Sequence, residues 1–185
     1  MSTDRSCGSC SLCCEVLRVD ALEKLGGVRC LHQRPEGGCG IYATRPSICR
    51  DYRCLWLGGG LGDDDRPDRL GAVLDVVAEG GGLWLEIREA EPGRFDRSPR
   101  LQTIADEVRR SMPVRISDVA AVLDPTRRFR VLLPDGEERI VEGEWTTVRR
   151  PGKPDERRRA PWLERQLARF RLAWRRRRIR DYRGA

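Results

Sequence analysis

One histidine, His32, and two lysines, Lys24 and Lys153, are all that the 185 residues hold of those two side chains. General acid–base catalysis near neutral pH leans on histidine, so few carriers for it exist here. There is no serine nucleophile elbow, no ordered catalytic triad and no glycine-rich phosphate loop. No catalytic residue is therefore assigned. Nowhere do 18 apolar residues run together, which excludes a helical membrane span. Met1 to Ser6 lack the apolar stretch of a secretory signal, so a cytoplasmic chain with reduced thiols is expected. The most informative absence concerns cysteine: not one occurs in the 131 residues after Cys54.

All eight cysteines stand between Cys7 and Cys54: Cys7, Cys10, Cys13, Cys14, Cys30, Cys39, Cys49 and Cys54. In a reducing compartment such density points to metal rather than disulfides. Zinc and iron–sulfur sites both want thiolates, because soft sulfur donates strongly to these metals. A Cys-x2-Cys pair lets two sulfurs reach one metal from a tight turn, and Cys7, Cys10 and Cys13 extend this to three, like the runs of cluster-binding ferredoxins. Adjacent residues project differently, so Cys13 and Cys14 do not readily chelate one tetrahedral ion. Either two sites adjoin, or one of these cysteines packs as a small apolar residue. Two zinc ions with four thiolates each would use all eight; one iron–sulfur cluster would leave several over.

The run Cys7-x2-Cys10-x2-Cys13-Cys14, followed by Cys39-Gly40-Ile41-Tyr42 and then Arg45-Pro46-Ser47-Ile48-Cys49-Arg50, resembles the CxxCxxCC zinc- or iron-chelating family, the YkgJ-type cysteine-cluster proteins. The resemblance covers residues 7–57, with a weaker echo from Arg66 to Leu74. It implies metal chelation by Cys7, Cys10, Cys13, Cys14, Cys39 and Cys49, joined by Cys30 and Cys54. Relatives with a Cys-x-His-Cys depart from this chain, which has Cys30-Leu31-His32-Gln33. His32 is then a candidate substitute ligand for the thiol missing at Gln33. Arg45 and Arg50 match the motif as well. They are positioned in sequence to donate to thiolate sulfurs and offset their charge, or else to pair with surface carboxylates.

The net charge of +7 is unevenly distributed: residues 151–185 carry 13 basic against 4 acidic side chains. Glycines and aspartates at 58–65 read as a linker between a cysteine unit at 1–57 and a second unit at 66–150. Two antiparallel hairpins are expected in that unit, over 70–89 and 129–142. A helix between them is capped by Ser98 and opened by Pro99. A short helical segment over 118–123 precedes the second hairpin, while Cys14 to Asp20 alternates as a short strand. A long basic amphipathic helix fills 160–182, with Leu163, Leu167, Phe170 and Trp174 on one stripe that docks on the second unit or on a partner.

The expected fold class is α+β: a metal-stapled cysteine unit, antiparallel hairpins with a helix, and a basic C-terminal helix. The expected function is metal binding, with zinc, as one or two ions, ahead of iron or an iron–sulfur cluster. Two alternatives remain open. One is a zinc-knuckle module associated with RNA or the ribosome through residues 160–185. The other is an iron–sulfur redox protein or enzyme.

Overall fold

A computed structural model describes residues 5–118, 128–167, 169–170 and 173–174. The cysteine region is mostly turns. It holds one α-helical turn, α1 (Cys13–Val16), a single 3-10 turn (Asp20–Leu22) and a five-residue helix, α2 (Ser47–Asp51). The strand expected over 14–20 is absent, because Val16 N–H and Leu17 N–H donate to Leu12 O and Cys13 O and close a helical turn instead. After α3 (Pro67–Leu70) the chain enters the hairpin of β1 (Ala72–Glu79) and β2 (Gly82–Glu89). Then come α4 (Arg94–Arg97) and α5 (Pro99–Val108). Ser98 caps α5 as expected, accepting a hydrogen bond from Leu101 N–H at 3.3 Å.

The remaining strands are β3 (Val114–Asp118), β4 (Arg128–Leu132), β5 (Glu138–Glu142), β6 (Trp145–Arg149) and β7 (Glu156–Arg159). All seven form one sheet in sequence order, β2–β3 parallel and every other pair antiparallel. A parallel neighbour demands a crossover, which α4 and α5 provide.

This corrects the expected α+β arrangement. The hairpins are not separate, because β3 pairs with β2 on one side and β4 on the other and fuses them into a single mixed sheet. The helices are short, and no long C-terminal helix is among the described elements. Helical backbone occurs at 162–167, 169–170 and 173–174. Trp162, Leu163, Leu167 and Phe170 are all about half exposed or more, so the apolar stripe lacks the packing that stabilises a helix in water. The expected helix at 118–123 lies, beyond Asp118 at the end of β3, outside the described residues, as does the arginine run 175–178. No helix among the described residues is long and apolar enough to cross a membrane.

The period of two in a strand gives the sheet two unlike faces. Leu74, Leu85, Ile87 and Val114 point to the face that α5 covers with Leu101, Ile104 and Ala105. All seven are 0–2% exposed, and they make the core. The opposite face presents Asp75, Glu86, Arg88, Arg115 and Ser117, and the cysteine region lies over it.

Segment 58–65 is tied down at several points. Arg5 donates to Trp56 O and Leu61 O, and Asp65 is buried and held by Arg100 through two bonds of 2.7 and 2.6 Å.

Candidate functional site

Three chain segments bring cysteines to one cavity wall, and a fourth carries Cys54. Cys10 N–H donates to Cys7 O at 2.9 Å, closing a tight turn over Gly8 and Ser9. The loop 33–40 seats backbone to backbone on that turn. A Cβ at Gly37 would lie 2.5 Å from Ser9 O, and one at Gly38 2.9 Å from Gly8 O, so glycine is required there by contact as well as by positive φ. The same loop carries Cys39, bridged to Gln33. Cys30 N–H donates to Cys14 O at 3.1 Å, tying the second segment to α1. In the third, α2 presents Cys49, whose carbonyl accepts from Arg45 Nε at 3.2 Å. Leu55 N–H bonds Leu74 O at 2.7 Å and fastens the segment of Cys54 to β1.

Between this layer and the charged sheet face lies a cavity of about 490 Å³. Every cysteine except Cys54 lines it. None of the eight is in a disulfide, and only Cys30 is buried; the others are half-buried. His32 and Arg45 also reach the cavity wall, whereas Arg50 is exposed and does not. Among the described residues no group of three or more His, Cys, Asp or Glu stands at metal-holding geometry. The chemistry of the donor set still suits soft thiophilic ions, since thiols outnumber every other ligand type on that wall.

The environment of each thiol has a physical cause. Burial pushes Cys7 up, against the opposing charge of Arg45 and a hydrogen bond from Tyr42. Burial also raises Cys10 and Cys54, against backbone amides that point at their sulfurs: Leu12 and Asp68 at Cys10, Leu57 and Trp56 at Cys54. Cys13 shares a hydrogen bond with Cys14 that, with burial, raises Cys13. The same bond lowers Cys14 to about 7, helped by the Lys24 charge. Cys49 is raised by burial first, then by Cys14, Cys30 and Cys39. The thiols feel one another across the whole layer: Cys49 feels Cys14, Cys30 and Cys39, Cys13 feels Cys14, Cys7 and Cys10, and Cys7 feels Cys14.

Two residues matter here that sequence reasoning passed over. Lys24 is 6% exposed, and its ammonium donates to the carbonyls of Glu15, Leu17 and Leu25. A compact ammonium with three donors suits three converging carbonyls where a planar guanidinium would not. The signal was present, since Lys24 is one of two lysines among 36 basic residues. Gln33 is the second, three residues after Cys30. Its Nε2 donates to Ser11 Oγ and Glu15 Oε1, both at 2.7 Å, so an amide braces α1 from that position.

The far wall is an ion-pair network. Arg88 meets Asp75 at 2.6 Å, and Arg115 meets Glu86 at 2.6 Å and Glu79 at 2.8 Å. The Tyr52 hydroxyl donates to Asp75 at 3.2 Å, and burial raises that phenol. Residues that alternation assigns to solvent are roofed by the cysteine layer.

No family model matches the chain, and no curated protein or solved structure does either.

Proposed function

We propose that this chain is a cysteine-cluster metal-binding protein whose residues 5–57 are organised by thiolate ligation. The observation that carries the reading is the convergence of seven cysteines, none in a disulfide, on one cavity wall. Cysteines kept as small apolar residues would be buried in a packed core, whereas seven of these eight are half-buried. Amides aimed at Cys10 and Cys54, and the cations Lys24 and Arg45 beside other thiols, are what a multi-thiolate site needs to offset its charge. Eight thiols favour zinc by number, because two ions with four thiolates each would use all of them in closed tetrahedral sites with no open position for chemistry. Iron or an iron–sulfur cluster uses the same residues. His32 is the nitrogen donor on that wall.

Metal ligation needs thiolates, and burial holds Cys7, Cys10, Cys49 and Cys54 in the protonated form. Metal uptake therefore releases protons and strengthens as pH rises. Elemental analysis and an absorption spectrum on protein purified without oxygen test the proposal. Two zinc ions per colourless chain is the expected result. Iron with acid-labile sulfide and a visible chromophore would replace zinc by a cluster. A metal-free chain that keeps its cysteine layer folded would overturn both.

A further inference from the structure

The outer edge of the sheet carries chemistry that the cysteine cavity does not use. β7 is the last strand, and all four of its residues are exposed. Pairing sets Trp145 opposite Arg159 and Thr147 opposite Arg157, so the indole and both guanidiniums share one face. Arg157 lies 4.7 Å from the Trp145 ring centroid and Arg159 lies 5.8 Å away, yet the residue is still 39% exposed.

Arg159 is bound to Glu144 at 2.8 Å, whereas Arg157 has no carboxylate within ion-pair distance among the described residues. Arg158, on the opposite face, reaches Glu156 only at 3.6 Å, and both side chains are more than half exposed. Exposed Trp162 follows a few residues later, and residues 151–185 are strongly basic in sequence, 13 basic against 4 acidic.

These features separate the candidate partners. An acidic protein strand would need the β7 edge and its charge but not an indole stacked with a guanidinium. A nucleic-acid duplex hides its base faces. A single strand offers both phosphates and flat bases, and bases stack on tryptophan and on guanidinium planes alike. We infer that the β6–β7 edge is a binding surface for single-stranded nucleic acid, with a base stacked on the Arg157–Trp145 pair and a flanking phosphate held by Arg157. The inference is independent of which metal the cysteines hold.

Fluorescence anisotropy of a labelled oligouridylate 20-mer, titrated with the full chain at several salt concentrations, tests it. Trp145→Ala weakens binding on the order of tenfold with little change in salt dependence, and Trp145→Phe largely restores it. Arg157→Ser weakens binding and makes the slope of log affinity against log salt shallower by about 0.7. Circular dichroism and metal content, unchanged in each variant, exclude misfolding as the cause. No binding by the wild-type chain, or a Trp145→Ala variant that binds as wild type, overturns the inference. So does inorganic polyphosphate displacing the RNA at equal phosphate concentration, which would leave charge alone as the cause. Polyglutamate binding as tightly as the RNA would overturn it in favour of an acidic protein partner.

Discussion

The two layers that face each other across the cavity are held by different physics. The sheet and α5 share a continuous apolar core in which Leu74, Leu85, Ile87 and Leu101 are 0–1% exposed. The cysteine layer buries only Val16, Val19, Leu25 and Cys30 as apolar side chains, at 3–8%, and apart from short helical pieces consists of turns and loops. Burial at roughly 25 cal/mol per Å² stabilises the first, but so few side chains cannot order the second by that means. On the proposed reading, ligation adds the order that hydrogen bonds from Lys24 and Gln33 do not supply. The two halves should therefore fail separately.

Removing metal should have the largest effect. Structural zinc contributes on the order of 10 kcal/mol to the folding of small thiolate modules. After chelation all eight thiols should react with a disulfide reagent under native conditions, while far-ultraviolet circular dichroism keeps its strand signal. Next, Leu85→Ala should cost about 2–5 kcal/mol in urea unfolding, because it opens a cavity in the core. Metal per folded chain should not change in that variant.

Lys24→Met leaves the carbonyls of Glu15, Leu17 and Leu25 without their donor. It should cost about 1–3 kcal/mol, read as faster hydrogen exchange over 13–30 but not in the sheet. Arg100→Gln should have the smallest effect, about 1 kcal/mol. Arg100 holds the Asp65 carboxyl below its usual value, so this contribution is present above about pH 4 and fades as pH falls through the depressed value. Wild-type and variant stabilities measured across that range should converge in acid.

Local signals were legible in the sequence, and long-range ones were not. The β1–β2 and β4–β5 hairpins and the capped helix α5 follow from alternation, turn glycines and Ser98-Pro99. The β2–β3 parallel pairing joins Leu85 to Val114 across a crossover, and no short-range pattern announces it. β7 reads Glu-Arg-Arg-Arg, with no apolar residue to mark it as a strand. The cysteines were visible as a candidate site from spacing alone. The wall that faces them was not, since Asp75, Glu86 and Arg88 alternate as solvent-facing residues do and only the fold places the cysteine layer over them. Asp63 to Asp65 read as linker charge, whereas Asp65 is buried against Arg100.

Hydrogen exchange resolved along the chain, before and after chelation, tests the division of labour most directly. Amides of residues 7–57 should lose protection when metal is removed, while those of β1, β2 and β3 keep theirs. Protection unchanged over 7–57, or lost equally in the sheet, would contradict it.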